Sequence, residues 1–184
     1  VVGEKTKPVT PPAGVRVLEA ASVAPNGSRP AALTGPSTSA DTALILFTSG
    51  PTGSPKGVTL SHRNIASNAA AVIEYLELTA HDSMVSVLPF YYAYGNSVLN
   101  THLAAGGRVV LEPSMVFPHA VVETIARERV SGFSGVPSTF ALLLSRVDLG
   151  RYDLGSLRYI TQAGGAMSPA LTRRLLSALP RARL

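Results

Sequence analysis

An unusual density of glycine and hydroxyl side chains follows the apolar run at residues 43–47. The segment TSGPTGSPKG at residues 48–57 contains three glycines, four serine or threonine residues and Lys56. Glycines let backbone N–H groups approach phosphate oxygens, hydroxyls donate further hydrogen bonds, and lysine supplies a positive charge. This composition predicts a loop that binds a polyanion such as a phosphate chain. The alternative is an ordinary turn rich in glycine and proline.

Two common phosphate-binding motifs do not match this segment. In the pattern G-x-x-x-x-G-K-[ST] counted from Gly50, the second glycine position is Pro55. The residue after Lys56 is Gly57, which has no hydroxyl to bind magnesium. The pattern G-x-G-x-x-G of dinucleotide-binding folds is also missing from the segment. The loop therefore differs from both of these nucleotide-binding classes.

The elements that must position this loop alternate between apolar runs and helical patterns. The apolar runs predict strands at residues 43–47, 84–88, 108–111, 132–136 and 157–161. Helix starts are predicted at Ser61, Pro118, Pro137 and the pair Ser168–Pro169. Strands separated by helices predict an α/β fold with a mostly parallel sheet and flanking helices. Ligands of such folds bind at the carboxyl ends of the strands.

Composition and charge exclude several classes of function. The chain has no cysteine, which removes disulfides and zinc–thiolate sites, and a reducing cytoplasm is the expected location. No apolar run is long enough to span a bilayer. The net charge of +5 arises entirely from residues 146–184, which hold seven arginines and two aspartates. Because residues 1–145 carry nine basic and nine acidic side chains, no basic stripe spans the fold, and nucleic acid is not an expected partner.

Several motifs together resemble one enzyme superfamily. FTSGPTGSPKGV at residues 47–58 is similar to the signature phosphate loop of AMP-forming adenylating enzymes, which include acyl-CoA and aryl-CoA synthetases and luciferases. LPFYYAYG at 88–95 resembles the aromatic segment of their acyl pocket, and TQAGGAM at 161–167 resembles the glycine turn beside the adenylate. The sequence departs at Pro51, where the family usually has threonine or serine. The resemblance covers residues 41–184.

The resemblance implies a set of site residues. The implied phosphate-binding residues are Thr48, Ser49, Gly50, Thr52, Gly53 and Lys56. Lys56 is expected to be catalytic, because its charge would neutralise the leaving pyrophosphate. The implied residues against the nucleotide and acyl group are Gly164, Gly165 and Ala166, and those of the acyl pocket are Tyr91 and Tyr92. ATP and Mg²⁺ are the implied cofactors, with the magnesium ligands mostly outside this chain and no metal ligand assigned within it.

The resemblance also implies a domain organisation and a reaction. Residues 1–40, which hold six of the fourteen prolines, are expected to be a connector with one short strand. Residues 41–184 are expected to be part of the large N-terminal domain, ending before the family's Tyr-Gly-x-Thr-Glu segment. The parent protein would join a fatty or aryl acid to coenzyme A or a carrier-protein thiol, and the fragment alone would be inactive. The alternative is a noncatalytic module that binds a nucleotide or phosphate.

Overall fold

The computed structural model describes residues 38–48, 55–112 and 115–184, and residues 38–184 form one compact unit. Its strands are β1 (Thr42–Thr48), β2 (Lys56–Ser61), β3 (Ser83–Ser86), β4 (Arg108–Leu111), β5 (Gly132–Gly135) and β6 (Tyr159–Gln162). Its helices are α1 (His62–Leu76), α2 (Ala93–Ala104), α3 (Pro118–Glu128), α4 (Pro137–Arg146) and α5 (Pro169–Ala178), with a short 3₁₀ turn at Leu149–Arg151. The short strand expected in the proline-rich connector lies outside the described residues.

A four-stranded parallel sheet in the order β4-β3-β5-β6 forms the centre of the fold. Helices α2, α3 and α4 each connect two of its strands, because parallel neighbours cannot be joined by a tight turn. The α/β prediction is therefore confirmed. All four strands begin at one edge of the sheet, here the amino edge, and end at the opposite one, the carboxyl edge.

The first apolar run does not join this sheet. Instead, β1 pairs with β2 in a separate antiparallel hairpin. The pairing places Thr48 opposite Lys56, and the Thr48 hydroxyl donates to the Lys56 carbonyl at 3.5 Å. The hairpin packs against α1. The two ends of the glycine-rich segment are thus held together by strand pairing.

Local capping explains where most of the helices begin. The Ser61 hydroxyl accepts the Asn64 N–H, and the Asn64 carboxamide accepts the Ser61 N–H, forming a capping box at the start of α1. Proline occupies the first turn of α3, α4 and α5, as predicted. Within the three described ranges, no helix has the length and apolar character needed to cross a membrane. The cytoplasmic location stays a prediction.

The core lies between the sheet and helices α3, α4 and α5. The rings of Phe133 in β5 and Phe140 in α4 meet edge to face, with centroids 5.8 Å apart. Both side chains are fully buried, as are their aliphatic neighbours Val85, Val121, Val122, Ile125, Val130, Leu143, Ile160 and Leu175. Each buried side chain of this size contributes roughly 1.5–3 kcal/mol through burial. This packing makes the sheet a rigid support for the turns at its edges.

Buried charge is concentrated at the amino edge. The carboxylate of Asp82 accepts hydrogen bonds from the Ser131 hydroxyl at 2.7 Å, an Arg158 guanidinium N–H at 2.9 Å and the Thr79 backbone N–H at 2.9 Å. Burial by itself would raise the pKa of Asp82, but these hydrogen bonds outweigh it and lower the pKa to about 2. Asp82 is therefore a fully partnered anion that ties β3 to the starts of β5 and β6.

A neutral histidine–tyrosine pair lies at the same edge. His102 Nδ1 is 2.8 Å from the Val98 carbonyl, and Nε2 is 2.6 Å from the Tyr159 hydroxyl. Because a carbonyl can only accept, Nδ1 carries the proton and Nε2 accepts from Tyr159. Burial lowers the pKa of His102 and raises the pKa of Tyr159, so both stay uncharged. The Tyr159 ring occupies the space that a β-carbon on Gly132 would need.

Candidate functional site

A glycine turn follows β6 at the carboxyl edge. Gly164 has φ +82°, a conformation that residues with a β-carbon rarely adopt, and a β-carbon there would lie 3.1 Å from the Val136 side chain. The Gln162 carboxamide donates to the Gly165 carbonyl at 2.6 Å and closes the turn. Gly165 lies over Pro137. The result is a fixed stretch of exposed backbone that a flat ligand could approach closely.

A chain of three hydroxyls connects α2 to the carboxyl ends of β5 and β6. The Tyr94 hydroxyl is 2.7 Å from the Thr161 hydroxyl, which is 2.6 Å from the Ser134 hydroxyl. Burial raises the pKa of Tyr94 despite these hydrogen bonds, so the phenol stays neutral. The chain fixes the Tyr94 ring beside the strand that leads into the glycine turn.

Close backbone packing explains the position of Tyr94. The next residue, Gly95, is buried, and a β-carbon on it would clash with the Pro89 carbonyl. The first turn of α2 can therefore lie directly on the segment that follows β3. This contact turns Tyr94 toward the sheet.

The two tyrosines predicted to form the acyl pocket lie mostly in solvent. Tyr91 is 73% exposed and Tyr92 is 61% exposed, and their ring centroids are 4.6 Å apart. They precede α2, next to the carboxyl edge, but face outward, whereas Tyr94 is half-buried. Their place in an acyl pocket stays a prediction.

Some of the predicted phosphate-binding residues lie within the described ranges, and others lie outside them. Thr48 and Lys56 are exposed at the paired ends of the hairpin, and no carboxylate in the described part of the chain pairs with Lys56. Four other predicted residues, Ser49, Gly50, Thr52 and Gly53, lie outside the described ranges. Ala166 is exposed after the glycine turn. The roles of all these residues stay predictions.

No metal centre can be built from the described residues. Among them, no three histidine, aspartate or glutamate side chains converge on a possible ion position. The part of the chain that the structure describes therefore offers no donor set that fits Mg²⁺.

Comparison with known families identifies the family of this chain. Residues 4–184 match the family described as AMP-binding enzyme. The chain belongs to this family. The match includes the glycine-rich segment, the aromatic segment and the glycine turn.

Relatives of this chain include several named CoA ligases. It is 36% identical over 141 residues to "Medium-chain acyl-CoA ligase ACSF2, mitochondrial" of Macaca fascicularis, covering 72% of this chain and 22% of the relative. It is 35% identical over 133 residues to "Indoleacetate--CoA ligase" of Aromatoleum aromaticum, covering 72% and 26%. The chain thus spans about a quarter of the length of these curated relatives.

Solved structures agree with the fold and with the sheet described above. MatB from Rhodopseudomonas palustris, solved with ATP bound, superposes with a TM-score of 0.70 at 30% identity, covering 77% of this chain and 28% of MatB. The O-succinylbenzoate coenzyme A synthetase MenE of Bacillus subtilis, solved with AMP, gives a TM-score of 0.71 at 28% identity, covering 79% and 29%. Both superpositions confirm the predicted α/β fold class.

Two features of the site were not identified from the sequence. Helix α2 was missed because Gly95, Asn96, Asn100 and Thr101 are poor helix formers and give no apolar stripe. Ser134 was not singled out, since a serine within a buried strand resembles any other small residue. Ser134 is two residues from Gly132, so the sequence places both on the same face of the strand. This spacing does not indicate which residue Ser134 contacts.

Proposed function

We propose that the longer protein containing this chain is an AMP-forming carboxylate–thiol ligase. In its first step, a carboxylate oxygen attacks the α-phosphorus of ATP, and the bond to the departing pyrophosphate breaks. In its second step, a thiol attacks the acyl carbonyl, the thioester forms and AMP leaves. Family membership and the CoA-ligase relatives support this assignment.

The glycine turn after β6 is the structural observation that most strongly supports this proposal. The turn after β6 presents backbone at Gly164 and Gly165 without side chains, at the edge of a parallel sheet where α/β folds bind ligands. A nucleotide base or an acyl-adenylate can stack against backbone only where no β-carbon intervenes. Gly164, Gly165 and Ala166 are accordingly proposed to line the adenylate.

The β1–β2 hairpin is proposed to bind the phosphates of ATP. Leu46 and Leu60 of the hairpin line the same cleft as Tyr94 and Ala163, so the hairpin lies beside the carboxyl edge. Thr48, Ser49, Gly50, Thr52 and Gly53 would donate hydrogen bonds to the pyrophosphate. Lys56, exposed and without an acidic partner among the described residues, would neutralise the charge that grows on the leaving group.

The substrates are proposed from the relatives together with the chain's own aromatic segment. The named relatives are CoA ligases for medium-chain acids and for indoleacetate. We propose a fatty or aryl acid as substrate and coenzyme A as acceptor, with a carrier-protein thiol as the other acceptor to be tested. Tyr91 and Tyr92 would form the rim of the acid's entrance. Mg²⁺ would accompany ATP, with ligands supplied mostly from outside this chain.

The test is acid-dependent adenylation by the purified full-length protein. Incubation with ATP, Mg²⁺ and a panel of fatty and aryl acids should release pyrophosphate and give an acyl-AMP detectable by mass spectrometry, followed by a thioester when coenzyme A is added. The 184-residue chain alone should give no acyl-AMP. ATP binding without acid-dependent pyrophosphate release from the full-length protein would favour the noncatalytic phosphate-binding module.

A further inference from the structure

The seven arginines of residues 146–184, which give the chain its net charge, divide into two groups. Three of them form ion pairs with acidic side chains, and they are Arg151, Arg158 and Arg183. The other four have no acidic partner in the described part of the chain, and they are Arg146, Arg173, Arg174 and Arg181. Residues 154–184 contain no aspartate or glutamate. Excess positive charge is therefore left on the surface of this region.

Two of the unpaired arginines line one groove between α4 and α5, which we call the arginine groove. Its volume is about 750 Å³. One wall is formed by two successive turns of α5, because Arg173 and Arg174 are followed four residues later by Ser177 and Ala178. The rest of the lining comes from the end of α4 and the segment after it, at Leu144, Val147, Asp148, Leu149 and Gly150. The groove thus combines a charged wall with a mostly apolar floor.

The two arginines of this wall have donors to spare. The Arg174 guanidinium donates to the Leu144 carbonyl, near the end of α4, at 3.4 Å, which holds the side chain on the wall. A guanidinium has five N–H groups in a planar fork that matches a carboxylate, so most of them stay available. Arg173 has no ion pair or hydrogen bond from its side chain to any described residue. Both side chains are exposed and can therefore pair with an incoming anion.

The acidic residue in the lining does not cancel this charge. The Asp148 carboxylate accepts the Gly150 N–H at 3.2 Å and pairs with Arg151 at 3.3 Å. Because Arg151 balances Asp148, the groove keeps the positive charge of Arg173 and Arg174. It therefore favours an anionic partner.

The floor of the arginine groove distinguishes between anionic partners. Val147 and Leu149 are buried and Leu144 is half-buried, so the apolar surface is recessed and does not protrude. A flat bilayer surface does not reach a recessed floor, whereas the side chain of a peptide does. Among the described residues that line the groove, none is aromatic, so the lining offers no ring on which a nucleic acid base can stack. A peptide with carboxylates and an apolar side chain complements both the wall and the floor.

We propose that the arginine groove is a docking site for an acidic segment of a partner protein. Two carboxylates of the segment pair with Arg173 and Arg174, and an apolar side chain enters between α4 and α5. The groove lies along the C-terminal half of α5, whereas the glycine turn precedes the first residue of this helix. The docking surface is therefore separate from the proposed active site, and the inference does not depend on the ligase function.

The test measures peptide binding to the full-length protein without ATP, acid or coenzyme A. The probe is an amphipathic peptide of glutamate, leucine and alanine, about 14 residues long or four helical turns, and its control has lysine in place of glutamate. We expect the acidic peptide to bind and the lysine peptide not to bind. The affinity should fall as salt is added, because exposed charges are screened. Serine in place of leucine in the peptide should also weaken binding, because the floor contacts an apolar side chain.

Two double variants separate the groove from net charge. Arg173→Gln with Arg174→Gln should weaken binding of the acidic peptide by about 3- to 30-fold, the size of two exposed ion pairs. Arg146→Gln with Arg181→Gln removes the same charge from outside the groove lining and should change the affinity by less than about twofold. Equal losses from the two double variants would overturn the groove.

Other outcomes would overturn the proposal as well. These are no binding of the acidic peptide, or binding of duplex DNA or phosphatidylglycerol vesicles in its place that depends on Arg173 and Arg174. If the double variant fails to fold, Arg173→Gln alone keeps the contact of Arg174 with Leu144. It should weaken peptide binding by about 2- to 5-fold, and an unchanged affinity would contradict the docking site.

Discussion

Both edges of the central sheet carry polar side chains, but the chemistry of these side chains differs between the edges. At the amino edge, Asp82, Ser131 and Arg158 form a partnered charged network, and His102 is paired with Tyr159. At the carboxyl edge, hydroxyls replace charges, and an exposed glycine turn follows the last strand. Both edges therefore join strands through polar side chains, and the carboxyl edge in addition presents the exposed backbone of Gly164 and Gly165 beside its hydroxyl chain.

From this difference we expect a structural role for the amino edge and ligand binding at the carboxyl edge. A buried charge must be fully partnered in the folded state, so its groups have little capacity left for a substrate. A neutral hydroxyl chain can position a ring without such constraints. We therefore expect substitutions at the amino edge to act mainly on stability and those at the carboxyl edge mainly on binding and catalysis.

The largest effect on stability is expected from Asp82→Ala. It removes the buried charged acceptor shared by Arg158, Ser131 and Thr79, which should lower the free energy of unfolding by about 1.5–3 kcal/mol, because Arg158 and Ser131 keep backbone carbonyl acceptors. Urea unfolding of the 184-residue chain measures this. Asp153→Ala is the matched control, because Asp153 pairs with Arg129 at the surface, where both side chains are about 70% exposed. The control should cost less than about 1 kcal/mol, and equal losses would refute a structural role for the buried network.

The pH dependence of the free energy of unfolding should reflect the ionisation of the same carboxylate, that of Asp82. Because the pKa of Asp82 is lowered to about 2 in the folded state, its ionised form stabilises the protein above about pH 4. That contribution, about 2 kcal/mol, should be lost as the pH falls from about 4 to about 2. Asp82→Asn should remove this part of the acid sensitivity. Parallel unfolding curves for both proteins across this range would contradict the assignment.

Removing one tyrosine hydroxyl at each edge compares how much the two edges contribute to stability. Tyr159→Phe leaves the buried His102 Nε2 without a donor and should cost about 1–3 kcal/mol. Tyr94→Phe should cost only about 0.5–1.5 kcal/mol, since Thr161 keeps its hydrogen bond to Ser134. Thermal unfolding of both variants measures the difference. A larger loss from Tyr94→Phe would reverse the proposed division between the edges.

Local signals in the sequence were sufficient for most of the fold. The apolar run at 108–111 coincides with β4, and Ser61, Pro118, Pro137 and Pro169 mark helix starts as predicted. Capping and proline effects act within one helical turn, so neighbouring residues determine them. The glycine turn was also predictable, because a positive φ at Gly164 restricts the residue type at that position.

Contacts between distant residues could not be predicted in this way. Arg158 and Asp82 are 76 residues apart, and no periodicity links them. The antiparallel pairing of β1 with β2 was likewise missed, because the alternation of apolar residues specifies a strand but not its partner. The hydroxyl chain from Tyr94 to Ser134 depends on the packing of α2, a helix without a clear sequence pattern.

In the proposed ligase, the carboxyl edge and the adjoining hairpin form the active site, and Lys56 acts on the leaving pyrophosphate. The most direct test is single-turnover formation of acyl-AMP by full-length Lys56→Ala, measured beside equilibrium ATP binding, with the exposed Arg63→Ala as control. We predict a loss of about 10- to 100-fold in rate, the size of a charge-assisted contact, with a smaller change in ATP binding. An unchanged rate, or a loss explained wholly by weaker ATP binding, would contradict the account.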